Sequence, residues 1–171
     1  MSYALPVFAV IFFIATVYGV ILGVGYVPCN RALVRRMIEM AKIKPGETVY
    51  DLGSGDGRIV FAASKITGNS FGVEGSPVIY LYALLKQKLL RQGGRIIFGN
   101  IFSQDLKKAD VIFCFLNKPM MEKLAKKFKL ELKSGCRIVS RCYELPGWAA
   151  KEAYLNPGPG KKWGDVFIYV V

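Results

Sequence analysis

The stretch Val49-Tyr50-Asp51-Leu52-Gly53-Ser54-Gly55-Asp56-Gly57-Arg58 constrains this chain more than any other. An apolar, β-branched run ends in a glycine-rich turn and passes into a helical pattern, which reads as strand, turn and helix. Glycine has no Cβ, so it takes positive φ without a clash and lets the backbone approach a ligand closely. A ligand held by such a turn lies at the carboxyl end of the strand, beside a helix N-terminus. A second short strand, Phe71-Gly72-Val73, ends in Glu74, 23 positions after Asp51. That is close to the spacing of about 20 residues at which a carboxylate grips a nucleoside ribose.

The same alternation continues along the chain. Asn30 is a good N-cap for a helix over Arg31 to Ala41. Strands are expected at Thr48–Leu52, Ser70–Val73, Arg95–Phe98, Val111–Phe115 and Arg137–Cys142. Helices are expected over Arg58 to Ile66, from Ser76-Pro77 to Arg91, and over Pro119 to Leu132. Lys151–Leu155 and Val166–Val171, separated by Asn156-Pro157-Gly158-Pro159-Gly160, read as a closing hairpin. Alternating β/α units build an α/β fold with a doubly wound parallel sheet, and the hairpin adds antiparallel strands at one edge.

The front of the chain differs. From Leu5 to Val27 there are 23 residues without a charge. As a helix they would span roughly 34 Å, enough to cross a bilayer. A secretory signal would need a basic start and a small-residue cleavage site, and neither is present. The expectation is a transmembrane anchor, with Gly19 and Gly23 as a candidate packing pair. All 24 Lys and Arg residues lie at or after Arg31, which places residues 31–171 on the cytoplasmic side of a single-pass membrane protein. The expected organisation is an anchor and linker over 1–28 and a catalytic domain over 29–171.

The net charge of +12 falls wholly on that domain. It suits anionic headgroups, nucleic acid or an acidic partner. Lys123, Lys126, Lys127, Lys129 and Lys133 read as one solvated helix face. The chain has no histidine, which removes Ser-His and Cys-His nucleophile systems and the commonest general base. Cys29, Cys114, Cys136 and Cys142 show no paired spacing, so no metal site is expected.

The run Asp51-Leu52-Gly53-Ser54-Gly55-Asp56-Gly57 resembles motif I of class I S-adenosylmethionine-dependent methyltransferases, whose seven-stranded sheet also ends in a hairpin. A closer resemblance is carried by Tyr26-Val27-Pro28, by Asp51 through Val60, by Gly135-Cys136-Arg137-Ile138-Val139-Ser140, and by Pro146-Gly147-Trp148. In that order they are similar to the small protein-lysine methyltransferases of the ATP synthase c-subunit and adenine nucleotide translocase type and to their archaeal relatives.

The resemblance implies S-adenosyl-L-methionine as cofactor, without a metal. Gly53, Ser54, Gly55 and Gly57 would line its methionine part, Asp51 would hold its amino end, and Glu74 would bind the ribose hydroxyls. Asn100 would receive the adenine amine, and Tyr26 to Pro28 would form a gate, with Cys29 where relatives carry Thr or Ser. Asn117, after the fourth strand, would either accept a hydrogen bond from the attacking amine or simply cap the next helix. Trp148 reads as packing ahead of substrate contact. The implied function is methylation of a lysine in a protein, with a membrane protein as a natural acceptor. The alternative is a lipid, quinone or other membrane-dissolved small molecule, and nucleic acid ranks behind both.

Overall fold

A computed structural model describes residues 27–155 and 164–171. The elements follow the expected alternation: α1 (Arg31–Ala41), β1 (Thr48–Leu52), α2 (Arg58–Ala63), β2 (Asn69–Glu74), α3 (Pro77–Leu89), β3 (Arg95–Phe98), a 3-10 turn (Ile101–Ser103), β4 (Val111–Cys114), α4 (Lys118–Glu131), β5 (Arg137–Arg141), β6 (Glu152–Tyr154) and β7 (Val166–Val170). They form a seven-stranded sheet in the order β3-β2-β1-β4-β5-β7-β6. Strands β1 to β5 run parallel, and β7 is antiparallel to both β5 and β6. The order reverses between β1 and β4, which opens a crevice at their carboxyl ends.

Side-chain alternation in the strands sorts the core into two layers. Val111 and Phe113 of β4 and Val139 of β5 pack with Val34 and Met37 of α1 and Ile59 of α2. Ile112 and Cys114 of β4 and Ile138 of β5 face the other way, against Met121, Leu124 and Phe128 of α4. Every residue of β4 is therefore buried, as a parallel strand covered on both faces must be. The amino edge of the sheet is stitched by charge. Asp110 Oδ2 accepts from Thr48 N at 2.8 Å, its Oδ1 meets Lys133 Nζ at 2.6 Å, and Arg137 Nη2 meets Glu47 Oε2 at 2.5 Å.

Some boundaries differ from the sequence reading. The helix after the glycine turn stops at Ala63, not Ile66, because Ser64 Oγ bonds back to the Phe61 carbonyl as the chain turns toward Gly68. Asn30 caps α1 as expected, its Oδ1 accepting from Leu33 N at 2.8 Å. Ser76 makes no side-chain cap, so Pro77 alone marks the start of α3. The lysine face of α4 is not simply solvated, since Lys127 pairs with Glu131 at 2.5 Å and Lys129 lies 6.0 Å from the Trp148 ring centroid. Trp148 is a packing residue: its Nε1 donates to Ala125 O at 3.3 Å and its ring meets Tyr169 edge-on.

The expected single-pass membrane location, with the catalytic domain in the cytoplasm, is corrected. Among the described residues no helix is long and apolar enough to cross a membrane. The longest, α4, has 14 residues and is about 21 Å long, against a hydrocarbon core of about 30 Å. The Gly19–Gly23 pair, Tyr26, and all of the Leu5–Val27 run except Val27 lie outside the described residues, as do residues 156–163.

Phe128 is fully buried under the α4 face of the sheet. Phe128→Ala is expected to cost about 3–5 kcal/mol, read as a lower denaturant midpoint with an unchanged slope.

Candidate active site at the carboxyl edge of the sheet

The turn after β1 is held from beneath. Gly53 N and Ser54 N both donate to Val73 O of β2, at 2.9 and 3.0 Å. Gly53, Gly55 and Gly57 all have positive φ, at 81°, 56° and 78°. At Gly53 a Cβ would also lie 2.8 Å from Leu116 Cδ2, so a side chain there would strain the backbone and displace the Leu116 tip. Ser54 places its side chain in the space above Gly72, and its buried Oγ has no hydrogen-bond partner among the described residues.

Glu74 closes β2 and reaches back to the turn. Its Oε2 accepts from Gly55 N at 2.9 Å and its Oε1 from Ser76 N at 2.7 Å. Each oxygen keeps further lone-pair capacity, so a ribose hydroxyl can still donate to it. Asn100 follows β3 on the same edge, but its Oδ1 already accepts from Phe102 N at 2.9 Å and caps the 3-10 turn. Asn117 stands at the head of α4, where its Oδ1 accepts from Met120 N at 3.1 Å. Of the two roles left open for Asn117, the cap is observed. Pro28 is exposed at the start of the described chain, next to buried Cys29.

Two buried aspartates carry opposite electrostatics. Asp51 is 4% exposed, and its pKa is pushed up to about 8 by burial and then by the nearby charges of Glu74 and Asp56. Burial acts the same way on Asp56, but bonds from Arg58 and Lys86 outweigh it and hold that carboxyl at about 2. Arg58 clasps Asp56 at 2.7 and 2.8 Å, and Lys86 Nζ of α3 lies 2.5 Å from it. Arg58 also donates to the carbonyl of Cys29. The Cys29 thiol is pushed up by burial, against the charge of Arg141, whose Nη1 donates to Cys29 Sγ at 3.1 Å.

This chemistry fits a nucleoside that bears positive charge. Asp51 is a buried carboxyl pushed up by burial and by the charges of Glu74 and Asp56, beside a glycine turn that leaves the backbone bare. A ligand with an ammonium and a sulfonium supplies the missing cation, and Glu74 has the capacity to take a sugar hydroxyl.

The profile of the ANTKMT methyltransferase domain matches residues 51–152, the span from Asp51 to the start of β6. The chain belongs to this methyltransferase family. It is 38% identical over 152 residues to a protein-lysine N-methyltransferase of Saccharolobus islandicus, covering 86% of this chain and 94% of the relative. It is 28% identical to the Xenopus laevis lysine N-methyltransferase of the ATP synthase c-subunit, covering 72% of this chain but 55% of that longer protein. Among solved structures it resembles an RNA methyltransferase from Salinibacter ruber in complex with S-adenosyl-L-homocysteine. That pair has a TM-score of 0.76 and 28% identity, and covers 85% of this chain and 94% of the other. The fold is thus the Rossmann-like methyltransferase sheet, the chain is a methyltransferase, and S-adenosyl-L-methionine is its cofactor.

The structure brings Asp51, Gly53, Ser54, Gly55, Gly57 and Glu74 of this methyltransferase together in one contiguous site. Asn100 joins them at the edge through β3, since Gly99 N donates to Glu74 O at 3.0 Å. The sequence reading missed the Asp56–Arg58–Lys86 cluster and the Arg141–Cys29 contact. Asp56 lay inside the motif and could have been singled out. Lys86 and Arg141 had no local signal, being 30 and 112 positions from their partners.

At neutral pH Asp51 of the free protein is largely protonated, whereas a cationic ligand favours its ionised form. Binding of S-adenosyl-L-methionine is expected to release a proton, and affinity to rise with pH up to about 8 and then level off. Calorimetry in buffers of different protonation enthalpy should show this, and Asp51→Asn should abolish the slope. The free protein should behave oppositely. A raised carboxyl pKa contributes stability that is complete below the usual value of 3.8 and is lost as pH climbs through about 8.

Proposed function

We propose that this methyltransferase transfers a methyl group to the side-chain amine of a lysine in a protein. The observation that carries this reading is the archaeal protein-lysine N-methyltransferase, whose length the chain covers almost end to end at 38% identity. The site supports it by having no nucleophile of its own to spend. The four cysteines are all buried, and burial pushes Cys29, Cys114 and Cys136 up. The cofactor, when bound, supplies an activated methyl on sulfur for in-line displacement.

The chain's own residues then bind, orient and exclude water. Asp51 holds the cationic end and Glu74 the ribose hydroxyls, while the turn from Gly53 to Gly57 lies against the rest. Leu116 packs against Gly53 on the β4 side of the turn. The acceptor enters from that side, past Phe115 and Asn117. Free lysine has a pKa of about 10.4, so the passage must favour the neutral amine, and desolvation does so. Asn117 receives a hydrogen bond from the amine and aligns its lone pair, in addition to its capping role. Positioning of this kind accounts for most of a displacement's acceleration.

Because the Xenopus laevis relative is named for the ATP synthase c-subunit, native membranes are the first source of acceptor to try. Purified enzyme incubated with methyl-labelled cofactor and membranes should place label in protein that hydrolyses to methyl-lysine. Label confined to the lipid extract would move the acceptor to a lipid or quinone, and label in nucleic acid would overturn the protein reading. Asn117→Ser retains a good N-cap, so the fold should hold while kcat falls by about 10²-fold.

A further inference from the structure

Helix α3 is apolar on two opposite sides. The side toward the sheet buries Ala83, with Tyr80 and Leu84 packed against Val60 and Phe61 of α2 and Ile96 of β3. On an ordinary surface helix the other side would be polar. Here it carries Leu81, Tyr82, Leu85 and Leu89, which are 61%, 53%, 56% and 72% exposed. With 3.6 residues per turn these four fall within one arc of about 100°, across the helix from Ala83. A contiguous apolar patch of this kind marks a contact with another partner or phase. The charges beside it are of one sign. From Gly75 to Gln104 the chain has four basic residues, Lys86, Lys88, Arg91 and Arg95, and no Asp or Glu. Lys86 pairs with Asp56. Lys88, on α3, and Arg91, just after it, are exposed and have no ion pair among the described residues.

We propose that this face of α3 docks on an anionic lipid surface, with Leu81, Leu85 and Leu89 entering the acyl boundary and Lys88 and Arg91 meeting the headgroups. The occupant must answer both features, leucines open to water and cations without counter-ions. A bilayer that contains acidic lipids offers an apolar layer beneath a negative plane. A second copy of the chain would bring the same cations against themselves, and like charges across an interface are costly. The uncharged run Leu5–Val27 would cover the leucines and leave the cations unanswered. With 13 residues α3 is about 20 Å long, too short to span a bilayer, so it lies along the surface. Lysine and arginine suit this placement, because their apolar stems stay with the leucines while the charge reaches the phosphates. Ser76 N at the head of α3 donates to Glu74 Oε1, which ties the docked helix to the glycine-turn edge of the sheet. Docking does not depend on which acceptor is methylated.

The native cysteines are buried, so a thiol-reactive fluorophore can be placed on the full chain at Leu85→Cys. Leu130→Cys is the control, since Leu130 is 86% exposed on α4, which packs on the other layer of the sheet. Quenching by acrylamide in the water phase is read in solution, on phosphatidylcholine vesicles, and on the same vesicles with about a third of phosphatidylglycerol. On the anionic vesicles quenching of the Leu85→Cys probe should fall by about tenfold, with the Leu130→Cys probe as open as in solution. Lys88→Gln with Arg91→Gln should raise the lipid needed for half-shielding by about fivefold for each charge removed. Thermal unfolding and S-adenosylhomocysteine affinity should match the parent in all variants. A Leu85→Cys probe as open on anionic vesicles as in solution would overturn the proposal. Equal shielding on phosphatidylcholine alone would do the same, and so would a lipid requirement that the paired substitution leaves unmoved. Shielding already complete without lipid would also overturn it. If that shielding grows with protein concentration, a second copy covers the face, and if it does not, another part of the chain does.

Discussion

Three loops at the carboxyl edge of the sheet converge on Glu74. One carboxylate oxygen receives Gly55 N from the turn after β1, the other receives Ser76 N at the head of α3, and the backbone carbonyl receives Gly99 N after β3. Charge-assisted bonds to backbone N–H groups are short and strong, and they cost no side-chain flexibility on the donor side. The glycine turn thus keeps its shape before any ligand arrives. A preformed turn matters for a displacement reaction, in which orientation supplies most of the acceleration.

The charges around the turn are divided by function. Asp56 is neutralised by Arg58 and Lys86, and it ties the turn to α3 and, through Arg58, to the segment holding Cys29. Asp51 lies one turn away and receives no such compensation. Isolation of a carboxylate in a buried place costs free energy unless a cation meets it. On the proposed reading the unmet demand of Asp51 is the recognition element for the cofactor, and the met demand of Asp56 is scaffolding. The amino edge of the sheet, where Asp110 and Glu47 each have a basic partner, shows what the same residue types do when structure alone is at stake.

Much of this is legible in the chain read residue by residue. The Gly53–Gly57 turn, the strand ahead of it and the Glu74 spacing are local patterns, and the Asn30 cap and Pro77 start are nearest-neighbour effects. Helix ends are less legible, because Ser64 Oγ and the Phe61 carbonyl decide the end of α2 through a bond that no periodicity shows. Asn117 keeps two readings in the sequence, and its Oδ1 on Met120 N shows the capping one directly. The apolar front of the chain suggests a membrane span by length and composition, criteria that none of the described helices meets.

By itself the sequence determined the β/α alternation, the glycine turn and the pair of carboxylates, Asp51 and Glu74, beside it, because each depends on residues adjacent in the chain or one strand apart. Only the tertiary structure decided which charges meet. Lys86 reaches Asp56 because α3 folds back over the turn, and Arg141 reaches Cys29 because β5 lies beside β4 and the segment ahead of α1 crosses their ends. Asp51 is driven toward protonation for the same reason. Its pKa depends on what surrounds it in space, and burial and the approach of Glu74 and Asp56 exist only once the strands have paired.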